Sequence, residues 1–184
     1  MKLKYLLPVL LAICTFSFAN AQSEKNTTEA ILKEAYAKAA TENKKVFVIF
    51  HASWCGWCHK LDSSMNDMAC KKMFQTNFVI VHLTVDESKD KKNLETPGAD
   101  AFRAKYHGEV AGLPFFLIFD KDGKLLADSK IRKPGESLDL PGDNMGCPAS
   151  KEEVAYFVNV VLKQTTGLKD SQLKIIEERF SKNK

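Results

Sequence analysis

Val46-Phe47-Val48-Ile49-Phe50-His51-Ala52-Ser53-Trp54-Cys55-Gly56-Trp57-Cys58 is the stretch on which the reading of this chain turns. Residues 46–50 form a continuous apolar run, the pattern of a strand buried on both faces. Behind it stand two cysteines with a two-residue spacer, which lets their thiols close a small disulfide ring. A strand that ends just before such a pair presents the first thiol at the start of the next helix. The unpaired N–H groups and the helix dipole there favour a thiolate over a thiol. A thiolate is the species that attacks disulfides, so Cys55 and Cys58 read as a redox dithiol.

Working outward, the elements alternate. Asn26–Thr41 is expected to be a helix, with Leu32, Ala35, Tyr36 and Ala39 at i, i+3, i+4 and i+7 and with Asn26 and Glu29 as a capping box. The dithiol opens a second helix running to about Asp67, and Met68–Gln75 either continues it or forms a separate turn. Phe78–Val85 is a second β-rich run, and the polar Asp86–Gly98 reads as a surface insertion ended by Pro97-Gly98. Ala99–Tyr106 is a short helix and Pro114–Phe119 a third strand. The turn Asp120-Lys121-Asp122-Gly123 makes Lys124–Ile131 its antiparallel partner. Arg132–Pro148 is expected to be a long loop. Ser150 and Glu153 form a second capping box, ahead of an apolar face of Val154, Phe157, Val158, Val161 and Leu162. A last helix follows Asp170 with Leu173, Ile176 and Phe180 as its stripe. Strands joined by helices, followed by a hairpin, make the fold class α/β: a mixed central sheet flanked by helices.

The first residues have a different purpose. Lys2 and Lys4 precede the mostly apolar Tyr5–Phe18, too short to span a membrane comfortably, and Ala19-Asn20-Ala21 is a small-x-small cleavage pattern. Residues 1–21 are read as a secretory signal peptide cleaved after Ala21. The alternatives are an uncleaved anchor, or a lipoprotein processed at Cys14, whose preceding Ile13 is bulky for that purpose. Cleavage of the 184 residues leaves 163, read as one domain, 22–184, with a C-terminal helical extension. Loss of Lys2 and Lys4 takes 27 basic residues to 25 against 23 acidic ones, too balanced for nucleic acid or an anionic membrane as partner. Export, periplasmic or secreted and of bacterial style, places Cys55, Cys58, Cys70 and Cys147 where disulfides persist.

Trp54-Cys55-Gly56-Trp57-Cys58-His59-Lys60, followed downstream by Gly112-Leu113-Pro114, a strand, a hairpin and an amphipathic helix, resembles the thioredoxin-like superfamily over roughly Lys45 to Gln164. The resemblance implies a thiol–disulfide interchange protein. Cys55 would be the nucleophile and Cys58 the resolving thiol. Leu113 and a cis Pro114 would face them and pair with the client chain, and Trp54 would shape the surface. Electrons would travel on the two sulfurs, so no dissociable cofactor is called for. The partners would be cysteine-containing exported proteins and a redox protein that resets the pair. The chain departs from the family in two places. Many thioredoxins carry a buried acid in the strand before the dithiol, and the matching residue here is Ile49, with no carboxylate at Phe47 or His51. The spacer Gly56-Trp57 also ends in tryptophan, and spacer residues tune the redox poise.

Several readings stay open. His59 is either a solvated residue or a cation that stabilises a thiolate. His51 either packs or shuttles protons for Cys58, and Trp57 either contacts clients or packs on a loop. Cys70 and Cys147 are a structural disulfide contributing roughly 3–5 kcal/mol, two free thiols, or, with Cys147 at the active-site rim, a second redox couple. Cys55-Gly56-Trp57-Cys58-His59 also satisfies the c-type haem attachment pattern, with His59 and one of Met65, Met68 or Met145 as axial ligands. Cys55, Cys58 and His59 make an incomplete zinc set. A binding or chaperone module that exchanges no disulfides is the remaining alternative.

Overall fold

A computed structural model describes residues 26–184. The signal peptide, its cleavage after Ala21 and the reading of Cys14 lie outside the described residues. Among those described, no helix is long and apolar enough to cross a membrane.

The order is helix α1 (Thr28–Glu42), strand β1 (Lys45–His51), α2 (Gly56–Met65), α3 (Lys71–Asn77), β2 (Phe78–Thr84), a 3-10 turn at Lys89–Leu94, α4 (Ala99–Ala104), β3 (Phe115–Phe119) and β4 (Leu125–Asp128). A short ribbon follows, β5 (Lys130–Ile131) with β6 (Asp143–Asn144). The chain ends in α5 (Lys151–Tyr156), a π-helical stretch Phe157–Leu162, α6 (Lys163–Thr165) and α7 (Asp170–Phe180).

The main sheet has the order β2-β1-β3-β4. β1 pairs parallel with β2 and antiparallel with β3, and β3 pairs antiparallel with β4. The sheet is mixed and helices cover both faces, as the element order predicts. Alternation along the central strands sorts two cores. Phe47, Ile49, Phe116 and Ile118 point to one face, packed by α2, α3 and the C-terminal helices through Leu61, Met65, Phe74, Phe157, Ile176 and Phe180. Val46, Val48, Phe50, Phe115, Leu117 and Phe119 point to the other, with Leu32, Ala35 and Ala39 of α1 and Leu83 of β2. On the first face Phe47 meets Phe116 edge to face at 5.1 Å between centroids, and Phe74 stacks on Phe157 at 6.5 Å. Each large apolar side chain buried this way contributes about 1.5–3 kcal/mol.

The structure departs from the expectations at several boundaries. The N-cap of α1 is Thr27, whose side chain accepts from the Ala30 N–H, so Asn26 and Glu29 form no capping box there. The second helix stops at Met65, short of Asp67, and of the two readings of Met68–Gln75 the separate element is the one that forms, as α3. The hairpin partner of β3 is only Leu125–Asp128. At Ser129 the chain turns away: the Ser129 hydroxyl accepts from the Phe116 N–H, and the Ser129 carbonyl accepts from Met145 N–H. Lys130 and Ile131 then pair with β6, so the expected long loop carries a strand of its own. The capping box Ser150–Glu153 forms as expected and its apolar face is buried, though the helix widens to a π-helix over Phe157–Leu162. Such widening inserts a residue without breaking the helix.

Inside the 132–148 segment, Arg132 is buried with Asp128, each side chain only 2% exposed. Its guanidinium donates to both Asp128 oxygens at 2.6 and 2.8 Å and to the carbonyls of Leu138 and Leu140. A single side chain thus gathers a segment that has little apolar content to bury. Removing one partner of a buried pair strands the other's charge. Arg132→Ala is therefore expected to cost about 3–5 kcal/mol of unfolding free energy in urea titrations, while the neighbouring exposed Lys133→Ala changes it by less than about 0.5 kcal/mol.

Candidate active site

β1 ends at His51, and the turn Ala52–Trp54 delivers Cys55 to the N-cap of α2. The Cys55 sulfur accepts from the Cys58 N–H at 3.1 Å, so it occupies the place where the first turn's donors are otherwise unpaired. Cys55 and Cys58 are joined as a disulfide with their Cα atoms 5.3 Å apart. Both are buried, in a small cluster with Ala52, and Leu113 packs against it. The Leu113–Pro114 peptide is cis. Leu113, 58 positions further along the chain than Cys55, thus packs on the dithiol, and Pro114 follows it.

The surface around the pair is aromatic. Trp54 is 59% exposed and its indole N–H donates to the Asp86 carbonyl at 2.8 Å. Trp57 is 46% exposed, with the Lys60 ammonium 4.7 Å from the centre of one of its rings. Gly56 lies between Cys55 and Trp57, and a Cβ there would meet no atom within 4 Å, so the space beside its backbone is open. A groove of about 310 Å³ runs beside it, walled by Trp57, Leu113, Pro114, Met145 and Cys147. One residue that the sequence reading missed holds this wall. The Asn144 side-chain amide donates to the carbonyls of Ala111 at 2.8 Å and Pro114 at 3.1 Å, and its Oδ1 accepts from Gly146 N–H. Asn144 lies in the segment expected to be loop, and only its pairing with β5 brings it to Pro114.

A second missed residue is Glu87. No carboxylate projects from β1, and Ile49 is buried in apolar surroundings. Glu87, however, reaches the site from the loop after β2 and is only 4% exposed. Its two oxygens accept from the Ser53 N–H at 2.5 Å and the Ser53 hydroxyl at 2.8 Å. The Ser53 N–H holds the Glu87 carboxyl below its usual range. The expected surface insertion is therefore exposed over Lys89–Leu94 but buried at its root. A signal was available: Asp86-Glu87 stands just past the β-rich run Phe78–Val85, and a parallel neighbour of β1 must end beside the end of β1.

The histidines separate. The ring of His51 contacts the Thr84 hydroxyl at 3.2 Å and meets the His82 ring edge-on at 5.3 Å. Burial, and then the neighbouring His82, push its pKa down, against the pull of Asp62 and Glu87. His59 is exposed and its Nε2–H donates to the Ser53 carbonyl at 3.1 Å. Cys70 and Cys147 are not joined to each other. Both are free, buried thiols, held up to about 11 and about 12 respectively, chiefly by burial. At neutral pH both stay protonated and poorly nucleophilic.

The haem reading does not fit these positions. It needs both sulfurs for thioether bonds, but they are bonded to one another. Met65 and Met145 are part of the apolar core, and Met68 lies on open surface. Among the described residues, no three His, Cys, Asp or Glu side chains converge as a metal-binding group.

The sequence profile of the thioredoxin-like domain matches residues 32–132, from α1 to the root of the 132–148 segment. Among curated proteins, the chain is 28% identical over 126 residues to the thioredoxin-like protein HCF164, chloroplastic, of Oryza sativa subsp. japonica. The alignment covers 68% of this chain but 42% of that protein, so the chain spans less than half the length of this relative. A disulphide isomerase from Xylella fastidiosa Temecula1 superposes on 53% of this chain and 69% of its own, with 23% identity and a TM-score of 0.43. A thiol:disulfide interchange protein from Bacteroides sp. covers 72% of this chain and 80% of its own, with 19% identity and a TM-score of 0.38.

The depressed pKa of His51 has a consequence for stability. Below about pH 6.5 the unfolded chain takes up a proton that the folded one resists. His51 therefore stabilises the fold fully above that pH and progressively less as the pH falls towards its folded value. The melting temperature is expected to drop between pH 7.5 and 5.5, and His51→Phe to show a shallower slope over the same interval. Equal slopes would remove His51 as the titrating group.

Proposed function

The chain belongs to the thioredoxin-like domain family, and on that premise we propose that it is an exported thiol–disulfide oxidoreductase working through Cys55 and Cys58. The observation that carries the reading is the disulfide itself. It lies at a helix N-terminus, flanked in sequence by the exposed Trp54 and spanning the exposed Trp57, with Leu113 packed against it.

In the reducing direction, the Cys55 thiolate attacks one sulfur of a client disulfide. The client S–S bond breaks, a mixed disulfide forms, and the first client sulfur leaves as a thiolate that takes a proton. The Cys58 thiol, losing its proton, then attacks the Cys55 sulfur. The Cys55–Cys58 bond forms and the second client thiol is released, so two electrons and two protons pass to the client. In the oxidising direction the same steps run backwards. Either way a second redox protein must reset the pair. Trp54 and Trp57 offer broad apolar area to a client, and Gly56 leaves its backbone room to approach. The leader-like residues 1–21 support an exported, periplasmic or secreted location, with cysteine-containing exported proteins as clients.

The test is exchange with a disulfide-bonded peptide. Cys55→Ala is expected to reduce turnover to the uncatalysed background. Cys58→Ala should accumulate a mixed disulfide visible on non-reducing gels and released by dithiothreitol. A Cys70→Ser variant should keep wild-type turnover, since that thiol is buried in the core and takes no part in these steps. Turnover that survives Cys55→Ala would overturn the assignment. Equilibration with glutathione then gives the direction: a potential near about −270 mV marks a reductant, and one of about −120 to −180 mV an oxidant or isomerase.

A further inference from the structure

Resting on the oxidoreductase reading above, we propose that Glu87 is a positioning residue for the dithiol: it clamps Ser53 ahead of Cys55, and its fixed negative charge opposes the Cys55 thiolate and so favours the disulfide form. The geometry builds this from the sheet outward. β1 and β2 run parallel and end together, with His51 opposite Thr84 and the Val85 N–H on the His51 carbonyl at 2.9 Å. Asp86 then turns the chain with a positive φ of 53°. Its carboxylate is held in that turn by the buried Arg103, at 2.5 and 2.9 Å, and Arg103 also bonds Asp100. The Glu87 N–H is held by the Glu95 carboxylate at 2.8 Å. The Glu87 side chain is thereby aimed at Ser53 and has little freedom to turn elsewhere.

Ser53 is gripped on both sides. Its N–H and hydroxyl bond the two oxygens of Glu87, and its carbonyl accepts from His59 in the first turn of α2. Cys55 lies two positions further on, at most ~7 Å of chain. The charges on the two neighbouring acids differ in effect. Asp86 is neutralised by Arg103, whereas Glu87 forms no ion pair among the described residues. Its other charged neighbours are Lys91 on the same loop, His51 on β1, and Glu95, which is itself paired with Lys92. A buried carboxylate with no paired cation, bonded to the residue two positions ahead of Cys55, raises the cost of placing a second negative charge on that sulfur. The thiolate is the form that stabilises the reduced state of such pairs. Glu87 therefore shifts the couple towards the disulfide, against the push of the α2 N-terminus.

Glu87→Gln tests this. Glutamine is isosteric and can keep both contacts with Ser53, with its Oε1 accepting from the N–H and its amide donating to the hydroxyl. The Cys55 thiol, titrated by thiolate absorbance in the reduced protein, is expected to fall by about 0.5–1 pH unit. The equilibrium constant with glutathione should move three- to tenfold towards the dithiol, which is about 15–30 mV less negative. Glu87→Asp keeps the charge but shortens the reach. It is expected to lower the melting temperature while leaving the thiol pKa near that of the wild type. Unchanged pKa and potential in a folded Glu87→Gln protein, or equal shifts in both variants, would overturn the proposal. A wild-type disulfide that fails to equilibrate with glutathione overturns the oxidoreductase reading, and this inference with it.

Discussion

Strand β1 has no face in water, and everything at the dithiol depends on that. Phe47 and Ile49 are locked into one core, Val46, Val48 and Phe50 into the other, and neighbours pair along both edges. A register slip of one residue would exchange the two cores at once, so the strand has one position only. Its end is therefore a fixed point. The turn that follows sets Cys55 on the first turn of α2, and α2 is anchored through Leu61 and Met65 in the same core as Phe47. A helix start that is immobile with respect to the sheet is what allows a sulfur to occupy the N-cap.

The rest of the site is brought to that point by polar contacts rather than by apolar packing alone. The Leu113–Pro114 wall is tied to β6 by Asn144, and β6 is placed by its pairing with β5. Arg132 gathers the segment between them. On the far side, Asn183 links the end of the chain to both Pro148 and Ser64 of α2, with its amide donating to Cys147 as well. Glu87 and His59 grip Ser53. Each of these contacts has a residue outside the helices and the main sheet on at least one side, where the chain has too little apolar surface to settle its own position. This is why single polar side chains carry the placement.

The distribution of charge gives the site its balance. The helix N-terminus favours a thiolate, and Glu87 acts against it from a neighbouring loop. On the proposal made for Glu87, these two effects pull the poise of the couple in opposite directions, alongside the spacer Gly56-Trp57. Cys70 and Cys147 stand outside this balance, because burial keeps both as thiols.

Much of this was legible in the sequence. The continuous apolar run of β1, the cysteine spacing, the hairpin turn after Phe119 and the Ser150–Glu153 box each act over a few residues, and each appears in the structure where the sequence placed it. The apolar stripes of the last helices were equally plain, because burial on one side of a helix repeats every 3–4 residues. What the sequence by itself determined was the order of elements, their buried faces and the pair of sulfurs. What only the tertiary structure decided was which loop residues meet those sulfurs. Glu87, Asn144 and the separation of Cys70 from Cys147 depend on contacts across about 30 to 80 residues of chain, and no local pattern encodes a partner at that range. The free energy that selects them comes from strand pairing and core packing elsewhere, and it is settled only when the whole sheet has closed.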